Sequence, residues 1–145
     1  MTNQVVIREL NRLAAENGGV LKPERVVASA SANESPLHKY FEWDDTKAAA
    51  EHRIQQAREL IRVVVQYQGP PSESVLTRVF VSLTTDRRDG GYRVMTDVMS
   101  DEVMRARLLR DALEEMRRFE TKYAKLKELA RVIEAIQSVQ NSVAA

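Results

Sequence analysis

From Ser100 to Gln140 the chain runs without a glycine or a proline, and its apolar residues keep step. Leu109, Met116, Tyr123 and Ala130 are seven apart, and so are Ala112, Phe119, Leu126 and Ile133. Two interleaved positions with a seven-residue repeat form the a and d seam of a coiled coil. Ser100, followed by Asp101 and Glu102, offers a capping residue with acids in the first turn. The expectation is one helix over 100–145, its first forty residues roughly 60 Å long at 1.5 Å per residue. Those eight seam residues would pair it with a copy of itself; a helix folded back on its own domain is the competing reading. Arg117, Arg118, Glu120, Lys122, Lys125, Lys127, Glu128, Arg131 and Glu134 mix both signs, as on a solvated face. The seam gives way to Gln137 and Gln140, while Ile136, Val139 and Val143 carry a rotated stripe.

The preceding residues divide in two. Residues 1–62 read as a helical, helix-turn-helix-like module. Val5, Val6, Leu10, Leu13 and Ala14 recur at helical spacing until Gly18-Gly19. Pro23 and Glu24 start a short second helix, and Ser29, Ser31, Asn33, Ser35 and Pro36 end it. A third helix over 46–63 has Ile54, Ala57, Leu60 and Ile61 on one face. Residues 63–99 read as a small antiparallel β element. Residues 77–84 and 92–98 alternate, and Asp89-Gly90-Gly91 between them is a hairpin-turn signal. Residues 63–67 are available as a third strand. The class is therefore α+β, with a long coiled-coil-like helix at its C-terminal end.

The stretch Ser35-Pro36-Leu37-His38-Lys39-Tyr40-Phe41-Glu42-Trp43-Asp44-Asp45 concentrates chemistry, including the one tryptophan. His38, Glu42, Asp44, Asp45 and His52 could be read as metal ligands, but their spacing puts no three of them on one helix face. A clasp is the stronger reading. Phe41 or Trp43 would fold onto the first turn of the third helix, Leu37 and Tyr40 would fill the gap between helices, and Asp44 and Asp45 would face its N-terminus. The order Leu37-His38, Phe41-Glu42-Trp43-Asp44, Ala48 to Ala50, His52-Arg53 and Gln56-Ala57-Arg58-Glu59-Leu60-Ile61 resembles a segment of small uncharacterised proteins of tailed phages and prophages. The likeness covers about a fifth of the chain. It implies a phage or prophage origin and no particular activity.

Net charge is +1, so no global field draws the chain to nucleic acid or anionic lipid. Residues 1–60, 61–100 and 101–145 carry −1, +1 and +1. Absence of cysteine removes disulfides, thiolate metal sites and cysteine nucleophiles. No phosphate-cradling glycine loop, G-x-S-x-G or H-E-x-x-H occurs, so the expectation is a protein without enzymatic activity, metal or cofactor. No apolar run matches a bilayer and the start lacks signal-peptide order, which points to a cytoplasmic location, that of the host cell if phage-encoded. Three short helices with a hairpin suggest a wing-bearing DNA-binding head. Arg53 and Arg58 would lie on its third helix, Arg87 and Arg88 at the hairpin tip, and Arg93 in the following strand. The expected partners are a second copy, with a dimer as first choice, and duplex DNA. The alternative is a structural or assembly protein that contacts phage or host proteins through the coiled coil and a sheet edge.

Overall fold

The computed structural model describes residues 1–44 and 47–144. The chain forms two compact units, Met1–Glu102 and Val103–Ala145. The helical module and the β element foreseen from the sequence share the first.

That unit opens with α1 (Gln4–Glu16). Asn3 caps it, its Oδ1 accepting from the Val5 and Val6 N–H groups at 3.0 and 3.3 Å. Val6, Ile7, Leu10, Leu13 and Ala14 form its buried face. The helix ends where the periodicity does. Gly18 and Gly19 adopt φ of 66° and 86°, and the Gly19 N–H returns to Ala14 O at 2.8 Å. A two-residue strand β1 (Val20–Leu21) follows, then α2 (Pro23–Ala30) with Pro23 in its first turn. A long connection containing a 3-10 turn at His38–Tyr40 leads to α3 (Lys47–Val63).

The β region departs from the expected single hairpin. Strands β2 (Val65–Gln68) and β3 (Val75–Arg78) form a two-stranded sheet of their own, with Tyr67 opposite Leu76. The second sheet is built from β4 (Phe80–Val81), then, after a helical turn α4 (Thr84–Arg87), β5 (Tyr92–Val94). Its order is β1-β5-β4, antiparallel throughout, with Val20 and Val81 both opposite Arg93. The expected strand at residues 63–67 does form, as β2, but it pairs with β3, and the third strand of the β4–β5 sheet is Val20–Leu21. The run 77–84 is cut at Val79, which is buried and bonded both ways. Its N–H donates to Val64 O at 3.2 Å, and its carbonyl accepts from the Met95 N–H at 2.8 Å. The chain changes partners there. Past Val94 the alternating residues form α5 (Met95–Ser100), with Val98 buried.

One core serves these elements: Leu10 and Leu13 of α1, Leu21 of β1, Val26 of α2, Leu37 and Phe41 of the connection, Ile61 of α3, and Phe80 of β4. Burial of such side chains contributes about 1.5–3 kcal/mol each.

The second unit corrects the single long helix. α6 (Glu102–Tyr123) stops at Tyr123, a 3-10 turn spans Lys127–Leu129, and α7 (Ala130–Ala144) follows. Leu126, expected in the seam, is the extended residue of the connection (φ −82°, ψ 105°) and is exposed. Gln137 Nε2 donates to Glu120 Oε1 at 2.6 Å. In an unbroken helix, residues seventeen apart would be separated by about 25 Å. The chain therefore doubles back as an αα-hairpin. Ser100, foreseen as the helix cap, instead turns its hydroxyl into α5, donating to Thr96 O and Asp97 O at 3.0 and 3.1 Å. Among the described residues no helix is long and apolar enough to cross a membrane.

Candidate nucleic-acid interface

The β4–β5 connection is the most constructed surface feature of the first unit. Leu83 is buried and anchors it. The Asp86 and Arg87 N–H groups then close a helical turn on Leu83 O at 2.9 and 3.1 Å. Arg93 reaches across from β5 and grips Asp86 with two parallel bonds, Nε to Oδ2 at 2.7 Å and Nη2 to Oδ1 at 2.9 Å. This fork geometry is the strong form of an ion pair. The hydrogen bond to Asp86 holds the Arg93 guanidinium above its ordinary pKa, against the opposing effect of burial. Ser82 Oγ donates to Gly91 O at 2.9 Å. Gly91 itself lies so close to β1 that a Cβ there would come within 2.7 Å of Val20 Cγ1. The outcome is a braced loop with Arg87 and Arg88 exposed beyond the brace. Among the described residues neither has an ion-pair partner. Asp89 beside them is also exposed, so the tip carries a net single positive charge.

The five arginines singled out from the sequence therefore separate by role. Arg93 is committed to Asp86, so it shapes the loop instead of offering its charge to a ligand. Arg53 is also committed. Its Nε donates to Glu42 O and its Nη2 to Asp44 O, both at 2.7 Å, and its guanidinium stands 5.0 Å from the Trp43 ring centroid. Arg58 is half-buried on α3, and its carbonyl accepts from Arg62 Nε at 3.4 Å. Arg62 is exposed one turn further on. Glu51, Gln55 and Glu59 are exposed on the same helix, so its face is mixed in sign.

Arg53 belongs to the clasp, and the reading of that stretch as structural holds for the residues described. His38 Nδ1 lies 2.8 Å from Ala30 O, an acceptor, so that nitrogen carries the proton. Trp43 Nε1 donates to His38 O at 2.9 Å, and the two rings stack with centroids 4.9 Å apart and planes 8° from parallel. The Glu42 N–H donates to Gln56 Oε1 at 3.1 Å. Leu37 and Phe41 enter the core, while Tyr40 packs against it. These contacts hold the α2–α3 connection closed. Asp45, expected at the start of α3, lies outside the described residues. Among those described, no three His, Asp or Glu side chains gather as a metal site would require.

The eight seam residues also take different places. Ala112, Met116 and Phe119 of α6 line an apolar groove with Val132 and Ile136 of α7. Tyr123 packs on Phe119 with ring centroids 4.9 Å apart. Leu109 and Leu126 are exposed, Ala130 opens α7, and Ile133 is half-buried on it. One surface had no counterpart in the sequence reading. On the β2–β3 sheet Tyr67, Val75 and Leu76 are 68%, 62% and 48% exposed. Its signal was Gly69-Pro70-Pro71, the turn of an independent hairpin.

Comparison with protein-family models, with curated proteins and with solved structures returns no match for this chain.

Proposed function

We propose that the chain is a non-enzymatic duplex-nucleic-acid-binding protein whose first unit works as a winged helix-turn-helix head. The observation that carries this reading is topological. Helix α1, strand β1, helices α2 and α3, then β4 and β5 run in that order, with the β2–β3 hairpin inserted between α3 and β4 and the strands arranged β1-β5-β4. The loop joining the last two is braced and ends in two uncommitted arginines. In a wing-bearing head such a loop touches the phosphate backbone, while the helix after the turn faces a groove. Here the α2–α3 connection is far longer than the roughly three- to four-residue turn of the minimal motif. The His38–Trp43–Arg53 clasp is what lets a long connection act as a fixed one.

The test is duplex affinity as a function of salt, by fluorescence anisotropy. Each phosphate that the protein neutralises adds about 0.9 to the steepness of log K against log salt. Arg87→Ala/Arg88→Ala should weaken binding to all duplex sequences alike and reduce the slope by about 1.8 for each head on the duplex. Unchanged affinity and slope in that variant, or no binding at low salt, would overturn the reading.

A second reading rests on the exposed Tyr67–Leu76 pair of the β2–β3 sheet, which suits a protein partner laid along an apolar strand pair. It predicts that Tyr67→Ser/Leu76→Ser abolishes association with that partner and leaves duplex affinity intact.

A further inference from the structure

The two helices of the C-terminal unit leave apolar surface uncovered. Among its described residues, Leu113 and Ile136 are the buried apolar ones. A two-helix unit of this size rarely supplies enough core to hold itself, and association is a common remedy.

Helix α7 carries two apolar stripes. Leu129, from the preceding turn, then Ile133, Ile136 and Gln140 are half-buried or buried. Val132, Val139 and Val143 form the other and are 47%, 42% and 47% exposed. Their spacing of seven and then four is that of residues meeting a neighbouring helix. The rest of α7 is poor in charge: Arg131 and Glu134 are its only charged residues. Charge depletion marks the core of an interface, not a solvated face. Beside this stripe lies the groove of about 460 Å³ lined by Ala112, Glu115, Met116, Phe119, Val132 and Ile136. Small Ala112 deepens it, and apolar side chains form most of its wall.

We infer that this face binds a second copy of the chain, giving a closed dimer held by an antiparallel four-helix bundle. Val132 belongs both to the exposed stripe and to the groove wall. A hairpin cannot fill its own groove, because α7 is already one wall and its Val139 and Val143 lie outside the lining. A two-fold operation brings the Val139 and Val143 of each copy over the Ala112–Phe119 side of the other. Such a contact is self-complementary and closes. The area is adequate. A fifteen-residue helix is about 22 Å long, and two helices packed roughly 9 Å apart present a face about 20 Å wide. Two such faces bury on the order of 1,000 Å², the lower bound for a specific interface. This inference stands independently of nucleic-acid binding.

The test is the solution mass of the full chain by light scattering at tens of micromolar, with three variants. The wild type should weigh about twice 16.5 kDa. Val132→Asp/Val139→Asp should halve that mass, whereas Leu126→Asp, in the connection, should leave it unchanged. Since the double variant could also loosen the hairpin, Ser138→Cys provides a second measurement. The chain has no cysteine of its own, so one spin label can be attached there. A dipolar coupling between labels of two copies is expected. A wild-type mass of one chain, or absence of coupling, would overturn the dimer and leave the face to another protein's helix. Dissociation by Leu126→Asp but not by Val132→Asp/Val139→Asp would overturn the bundle in favour of an extended seam.

Discussion

At the residue scale, a tryptophan lying flat on a histidine makes a tie that neither ring could make alone. The Trp43 indole N–H satisfies His38 O, while His38 Nδ1–H satisfies Ala30 O, which ties the end of α2 to the approach to α3. Trp43→Ala should destabilise the fold by about 2–4 kcal/mol, because it removes partly buried ring area and one of the two hydrogen bonds on His38 O, leaving only that from the Phe41 N–H. Trp43→Phe should recover the area and not the bond, and so lie between; urea midpoints followed by circular dichroism decide this. Glu9 offers a pH handle. The hydrogen bond from Arg12 lowers its pKa below the ordinary 4.5, burial opposes the shift, and Ser29 Oγ on α2 donates at 3.0 Å. A carboxylate with a depressed folded pKa contributes stability above its unfolded pKa and loses it as pH falls through the folded value. The deficit of Glu9→Gln relative to wild type should therefore be fully present at about pH 7 and shrink as the pH falls below the ordinary 4.5 and through the lowered folded value. The clasp was legible because three aromatics crowded just ahead of a helix have few other uses. Arg53 and Arg93 stand on the elements expected, α3 and β5, but their bonds to Glu42 O, Asp44 O and Asp86 were not legible, because composition reports a charge and not the group that charge faces.

At the element scale, what was legible followed local rules and what was not followed packing. Gly18-Gly19 and Pro23 mark the end of α1 and the start of α2 by backbone chemistry that needs no tertiary context. The break after Tyr123 has no such mark. Ala124, Lys125, Leu126, Lys127, Glu128 and Leu129 all favour helix, so propensity extends the helix through them. Doubling back wins because it shelters Ile136 and part of the stripe that one straight helix would leave in water. Sheet partners were hidden for a similar reason. Two-residue strands such as β1 and β4 are too short to show alternation. Gly91 makes their pairing testable. Gly91→Ala puts a methyl group 2.7 Å from Val20 Cγ1, and a β-branched neighbour within a strand has little room to yield. The substitution should cost about 1–3 kcal/mol. Amide exchange should then show Val20 and Leu21 losing protection before the β2–β3 sheet does.

At the scale of the whole molecule, a chain of net charge +1 would need some device to hold the polyanion proposed as its ligand. One wing with two arginines is a weak site, because each contact displaces a single condensed counterion. Two wings in the proposed dimer would change the arithmetic. The second encounter becomes intramolecular, and affinity can rise by about 10²–10⁴ with no new kind of contact. Salt dependence separates the contributions. If each wing makes two phosphate contacts, the dimer's slope from wings alone is about −3.6 and the monomer's about −1.8. Val132→Asp/Val139→Asp, which leaves every arginine in place, should halve the wing contribution to the slope and lower affinity. Arg87→Ala/Arg88→Ala should remove that contribution while the mass stays that of a dimer. The two variants thus dissociate what the wing does from what the bundle does. A dimer-breaking variant with wild-type slope and affinity would mean that the two heads never share one duplex, and that the bundle serves a purpose apart from binding nucleic acid.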